Sequence, residues 1–212
     1  MINIKTFNFN PIQVNTYILY DETKECVIID PACSNNREEK ILSDFIEENK
    51  LKPIYILNTH CHFDHIMGNA YIKNKYNSKI FINKNEEEML NNAVEYGLLF
   101  GIEAIKSPKP DGYLEENDII KFGNSSLTVL FSPGHSEGSL LFFSKENNFI
   151  IVGDVLFLGS IGRTDLPGGD HYSLINNIKD KIFTLKDNVT VYPGHGDKTN
   201  VGFEKATNRF FI

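Results

Sequence analysis

Leu51-Lys52-Pro53-Ile54-Tyr55-Ile56-Leu57 runs through Asn58 into Thr59-His60-Cys61-His62-Phe63-Asp64-His65, and this stretch decides the fold. Its first seven residues are a short apolar run containing β-branched and aromatic side chains, which predicts a buried strand. The next seven pack three imidazoles and a carboxylate into a loop at that strand's end. Neutral imidazole is the commonest protein metal ligand and a carboxylate its usual companion, so the density points to a metal and not to a solvated histidine-rich loop. Cys61 lies between two candidate ligands, but alternate residues of an extended segment point to opposite sides, which makes it a packing residue.

The chain around this loop has 212 residues, 41% of them hydrophobic. That is enough for one sizeable core, and a single domain over residues 1–212 is expected. The formal charge is −7 and the pI about 5.4. With no run of Lys or Arg, these values argue against nucleic acid or an acidic membrane surface as a partner. Met1 to Asn10 has neither the basic start nor the apolar core of a signal peptide, and no stretch approaches roughly eighteen apolar residues. The cysteines Cys26, Cys33 and Cys61 are odd in number and show no C-x-x-C spacing, which fits reduced thiols. A cytoplasmic protein is the expectation.

Working outward from the loop, three strands are predicted before it, at Ile2 to Phe9, Gln13 to Tyr20 and Glu25 to Asp30, as a meander closed by Asp30-Pro31. The Ser34 to Asn36 cluster can cap a helix in which Ile41, Leu42, Phe45 and Ile46 recur at helical spacing. After the loop come a helix over Ile66 to Tyr76, a strand at Lys79 to Ile82 and a helix over Asn85 to Tyr96. Glu86, Glu87 and Glu88 in its first turns read as a solvated face. Gly97 to Asn117 is interrupted by Gly and Pro and reads as a covering segment. Strands return at Asp118 to Phe122, Ser126 to Phe131, Ser139 to Ser144 and Phe149 to Val152. A helix at Ser173 to Leu185, a strand at Val189 to Tyr192 and a helix near Asn200 to Asn208 follow. Two meanders, each backed by helices, predict two sheets face to face with helices outside, an α/β sandwich.

Three later strands repeat the design of the first loop: each delivers one ligand-type side chain at its end, with glycine beside it for a tight turn. They are Ser132-Pro133-Gly134-His135, Gly153-Asp154 and Gly194-His195-Gly196. A Gly-His or Gly-Asp pair means little alone. Together they bring the candidate ligands to seven: His60, His62, Asp64, His65, His135, Asp154 and His195. Seven exceed one tetrahedral zinc but suit two metals sharing a bridging carboxylate.

In that order and spacing the residues resemble the metallo-β-lactamase superfamily, from about Asn15 to His195. The resemblance implies a four-layer αβ/βα sandwich. It also implies that His60, His62 and His135 hold one metal, that Asp64, His65 and His195 hold the second, and that Asp154 bridges. Gly153-Asp154-Val155-Leu156-Phe157 continuing to Gly162-Arg163-Thr164-Asp165-Leu166-Pro167-Gly168-Gly169-Asp170 resembles the short form of type II glyoxalases. These are thioesterases that hydrolyse S-lactoylglutathione and related 2-hydroxyacyl thioesters. The helical extension that supplies glutathione-binding groups in longer members is not expected here, and Ser136-Glu137 stand where relatives commonly have Thr and Pro.

The implied cofactors are two divalent metal ions, zinc first, with iron and manganese accepted by the same donors. Water held between two such ions is a strong nucleophile at neutral pH, with Asp64 orienting it. A thiolate leaving group, with a thiol pKa near 8.5, needs little protonation, which favours thioesters over amides. The expected partner is therefore a small-molecule thioester. Arg163 could meet a substrate carboxylate or pair with Asp165; Phe63 could wall the pocket; Lys198 could attract an anion. His171 reads as a helix-start residue. A persulfide dioxygenase using one iron on His60, His135 and Asp154 is the alternative from another enzyme class. Lactone and phosphodiester hydrolysis by the same metal pair also fit.

Overall fold

The computed structural model describes residues 1–212. β1 (Asn3–Phe9), β2 (Val14–Tyr20) and β3 (Glu25–Ile29) form the expected antiparallel meander. After α1 (Asn36–Glu48), β4 (Lys52–Leu57) lies parallel to β3; after α2 (Asn69–Tyr76), β5 (Lys79–Ile82) lies parallel to β4. α3 (Glu87–Leu99) and the segment behind it lead to β6 (Gly112–Tyr113), which completes a six-stranded sheet in sequential order. In the second half β7 (Ile119–Phe122), β8 (Ser125–Phe131), β9 (Leu140–Ser144) and β10 (Phe149–Gly153) run antiparallel. A hairpin of β11 (Leu156–Phe157) and β12 (Ser160–Ile161) and then α4 (His171–Asn177) precede β13 (Thr190–Pro193), which pairs parallel with β10. β14 (Thr199–Asn200) and α5 (Val201–Thr207) complete a second six-stranded sheet, ordered β14-β13-β10-β9-β8-β7.

Strand alternation explains the layering. Successive side chains point to opposite faces, and β2 and β3 carry apolar residues at consecutive positions, so both faces must be covered. Ile18 and Ile28 enter a cluster with Leu42 and Ile46 of α1, Ile72 of α2 and Leu90 of α3. Their neighbours Leu19 and Ile29 face the opposite way and join Phe122, Val129 and Phe142 between the two sheets. On the far face of the second sheet, Ile150, Val152 and Val191 pack against Leu174, Ile178, Ile182 and Val201. Three apolar seams therefore separate four layers, helices outside and sheets within, as the sequence predicts.

The helices start where the caps predict. Asn35 accepts from the amides of Arg37 and Glu38 at α1, and Asp170 accepts from the amide of Ser173 at α4. The single helix expected over Ser173 to Leu185 is instead α-helical to Asn177 and π-helical over Ile178–Ile182. Its buried Leu174, Ile178 and Ile182 recur every four residues, more than the 3.6 of an α-turn, and the wider turn offsets the resulting drift.

The turns of the two sheets are joined by a carboxylate. Asp21 accepts from the amide and hydroxyl of Thr23, the amide of Asn124 and the hydroxyl of Ser125. Burial alone would raise its pKa, but these four donors hold it down to about 2. A depressed carboxylate adds stability above its ordinary pKa of about 3.9 and loses it as pH falls towards the folded value. Asp21→Asn is accordingly expected to lower the urea midpoint at pH 7 and to flatten the fall in midpoint between pH 4 and pH 2; an unchanged pH profile would refute the linkage.

Candidate metal centre

The ends of β4, β8, β10 and β13 meet at one edge of the sandwich, held there by backbone bonds between the halves and within the second sheet. Leu140 N donates to Thr59 O at 2.7 Å, Gly194 N to Gly153 O at 2.7 Å and Asn15 N to Gly194 O at 2.7 Å. All seven ligand candidates converge in this region. The ligand atoms of His60, His62 and His135 lie within 4.8 Å of one another, and so do those of Asp64, His65 and His195. Asp154 stands between the groups: its carboxylate is 3.7 Å from His135 Nε2, 3.5 Å from His65 Nε2 and 3.4 Å from His195 Nε2.

Each imidazole but that of His62 is anchored by its Nδ1. His60 Nδ1 meets Thr59 Oγ1 at 3.1 Å, His65 Nδ1 meets Asp30 Oδ2 at 3.0 Å, His135 Nδ1 donates to Arg163 O at 2.8 Å, and His195 Nδ1 lies 3.2 Å from Ile12 O. Anchoring Nδ1–H in this way fixes the tautomer and turns the Nε2 lone pair inward, as metal-ligating histidines require. Inside the cluster, His60 Nε2, His62 Nε2 and Asp154 Oδ1 are buried with no hydrogen-bond partner. Buried polar atoms are ordinarily satisfied, and unpartnered acceptors clustered in this way are what a cation would coordinate. The donor set therefore fits two divalent cations.

The charge distribution agrees. Burial, reinforced by the neighbouring imidazoles, pushes His60 well down and His62 to about 3, so both are neutral donors at pH 7. At His65 and His195 burial acts downward but is outweighed by Asp154 and Asp64, which hold His65 high and His195 at about 9. Burial likewise opposes ionisation of Asp154, yet His65 and His195 keep it ionised. Positive charge is thus drawn to the point between the carboxylates, and a bound cation would take the place of those protons.

Two acidic residues matter that were not expected in the site. Asp30 follows β3 with φ +48°; it accepts from Thr59 N and Thr59 Oγ1 at 2.7 and 2.6 Å as well as facing His65. It could pass for a ligand of His60 and His65 by proximity, but both its oxygens are occupied, which makes it the orienting partner of His65. Its position after an apolar strand, before Pro31, repeats the pattern of the other strand ends, so the signal was in the sequence. Glu86 corrects the reading of residues 86–88 as a solvated face, since it is 1% exposed. Its carboxylate accepts from Cys61 N and Gly138 N, both at 2.7 Å, and so ties the His60–His65 loop to the turn after His135. Glu86→Gln turns an NH2 group onto one of those backbone donors. It is expected to cost about 2 kcal/mol in urea denaturation and about tenfold in metal affinity by chelator competition.

The ligand candidates open onto a cavity of about 270 Å³, walled by Ile12, Phe63, Met89, Tyr96, Phe100, Leu166 and Pro167, with Arg163 at its side. Phe63 lies against Phe100 with centroids 5.7 Å apart, and of the expected covering segment Gly97 to Asn117 only Phe100, at the end of α3, reaches the cavity. The Arg163 guanidinium makes a bidentate pair with Asp165, two contacts of 2.7 Å. Lys198 does not belong to this wall; its Nζ lies 5.9 Å from the Tyr192 ring centroid. His171 begins α4, away from the ligands. Cys61 is fully buried in the outer seam, and burial pushes its thiol well up.

Residues 9–195 match the family model of the metallo-beta-lactamase superfamily, and the chain belongs to that superfamily. It is 38% identical to a probable metallo-hydrolase, YqgX, of Bacillus subtilis, over 94% of this chain and 93% of that protein. It is 33% identical to the hydroxyacylglutathione hydrolase GloC of Haemophilus influenzae, over 99% and 98%. The mitochondrial persulfide dioxygenase ETHE1 of Bos taurus is 30% identical over 85% of this chain and 63% of that protein. Among solved structures, the BLEG-1 B3 metallo-beta-lactamase superposes with TM-score 0.91 at 33% identity, covering 99% and 100%. TTHA1623 in a di-iron-bound form superposes with TM-score 0.88 at 32% identity, covering 97% and 99%. No helix of the chain is long and apolar enough to cross a membrane.

Proposed function

We propose that this protein is a dinuclear metal-dependent thioesterase of the hydroxyacylglutathione hydrolase type, cleaving S-lactoylglutathione or a related 2-hydroxyacyl thioester. The observation that carries the proposal is the pair of complete three-residue ligand groups with Asp154 between them. His60, His62 and His135 would hold one metal, Asp64, His65 and His195 the other, with Asp154 common to both. When bound, the metals supply a water nucleophile at neutral pH and a positive field for the carbonyl oxygen.

The chain's own residues do the rest. Asp30, Thr59 and the Arg163 carbonyl hold the Nδ1 side of His65, His60 and His135, so each ring presents its Nε2 to the site. Asp64, 3.5 Å from His195 Nε2, would accept a hydrogen bond from the water nucleophile and so orient it. The apolar wall excludes bulk water and seats the thioester beside the ligands. Apart from the ligands and Arg163, that wall offers only the Tyr96 hydroxyl as a proton donor. An amine leaving group must be protonated as it leaves, whereas a thiolate leaves nearly unaided, so a wall this poor in proton donors supports a thioester over the β-lactam that the name of BLEG-1 would suggest. The relation to GloC supports the same class.

The likeness to ETHE1 supplies the second reading, an iron persulfide dioxygenase using His60, His135 and Asp154. The complete second group favours the hydrolase. The deciding experiment follows loss of thioester absorbance from S-D-lactoylglutathione with metal-loaded protein and counts metals in the same sample. Turnover with two metals per chain is expected. One iron per chain, no hydrolysis, and oxygen consumption with glutathione persulfide would establish the dioxygenase instead.

A further inference from the structure

The cavity at the ligands does not end there. Met89, Tyr96 and Pro167 also line a second hollow of about 90 Å³, whose other walls include Glu88, Glu137, Asn85 and Gly168. Sharing these three side chains, the two hollows adjoin: the inner one holds the ligand candidates, and the outer one, on the far side of Met89, Tyr96 and Pro167, is acidic. α3 builds much of this groove: Met89 and Tyr96, seven residues apart, share the helix face turned to it, Phe100 caps the helix end, and Glu88 stands beside Met89.

Cations are scarce along this path. No Lys or Arg lines the outer hollow. Arg163 is the single cationic side chain of the inner cavity apart from the histidines, and Asp165 pairs with the Nε/Nη2 edge of its guanidinium and offsets its charge. Glu88 and Glu137 are exposed at the outer end, and the chain carries a formal charge of −7. A substrate arm ending in carboxylates or phosphates would meet like charge there with no compensating cation. A neutral arm would bury its stem against Met89 and Tyr96, and a cationic one would gain both the carboxylates and the tyrosine face.

We propose that the thioester's carrier arm lies in this groove and bears no negative charge: an apolar stem next to the sulfur, ending in a neutral or cationic group. This rests on the thioesterase reading, in which the 2-hydroxyacyl group is small and the thiol carrier is the long arm. Within that reading it ranks the carriers: glutathione, which bears two carboxylates, is expected to be turned over with a lower kcat/KM than a carrier ending in a neutral or cationic group.

The test uses the metal-loaded protein and three D-lactoyl thioesters that differ only in the carrier: N-acetylcysteamine (neutral), thiocholine (cationic) and 3-mercaptopropionate (anionic). The neutral and cationic substrates are expected to exceed the anionic one about tenfold in kcat/KM at low ionic strength. Raising the salt should bring the cationic and anionic values together, since exposed charges are screened. In Glu88→Lys/Glu137→Lys the ratio of anionic to cationic kcat/KM should rise about tenfold, and the salt series carries the test if that variant does not fold. Equal rates, or a preference for the anionic thioester, would overturn the groove assignment while leaving a thioesterase. Failure of all three substrates in protein holding two metals would overturn the thioesterase reading itself, and this inference with it.

Discussion

Asp154→Ala is expected to lower kcat/KM for the thioester by about 10³-fold or more, some 4 kcal/mol of transition-state stabilisation, and to leave fewer than two metals per chain. The carboxylate is the one group within 3.4–3.7 Å of imidazoles from both ligand sets. Its removal takes a donor from each proposed metal and leaves the imidazoles crowded without their counter-charge. Metal analysis after gel filtration reads the loading directly and separates this effect from unfolding, which circular dichroism follows in the same sample. Two metals and undiminished turnover in the variant would sink the bridging role.

Gly194→Ala should be nearly as damaging, although glycine has no ligand to offer. A Cβ at this position would fall 2.1 Å from Asp154 Oδ1 and 2.7 Å from His65 Cε1. The backbone cannot retreat, because Gly194 N is bonded to Gly153 O and Gly194 O to Asn15 N. The Asp154 carboxylate must therefore move, and displacements of about an ångström at a reacting centre cost on the order of a hundredfold. Gly194 is not among the glycines with positive φ, so alanine adds no backbone strain there. The expected signature is a lowered kcat and weakened metal binding with a melting temperature close to that of the parent chain. An unchanged kcat would show that the close approach is inconsequential.

Both predictions concern residues whose spacing was legible, and the reasons differ from element to element. The ligand set could be read because each member stands at the end of an apolar strand beside a glycine or within one dense loop. The four layers could be read because the strands carry apolar residues in consecutive positions and the helices carry one stripe each. The two-residue strands β6, β11, β12 and β14 could not, since alternation over two residues carries no pattern. Glu86 was misread because three consecutive glutamates look alike in one dimension. The 3-10 turn before α3 buries Glu86 while the first turn of α3 leaves Glu88 exposed, and only the loop from the other side, bringing Cys61 N, shows why.

What the amino-acid order determined by itself is therefore local: where strands end, which side chains those ends deliver, and which faces must be buried. The carboxylates and imidazoles follow from residue type and period, which short-range sterics and the hydrophobic effect enforce. What only the tertiary structure decided is which groups share space across long separations. Asp30 orients His65, and His135 is fixed by the carbonyl of Arg163. Arg163 itself is taken up by Asp165, Lys198 lies outside the cavity, and Glu88 and Glu137, 49 positions apart in the chain, line the same end of the groove. Those relations depend on how two sheets register against each other, and no periodicity within a single element encodes that.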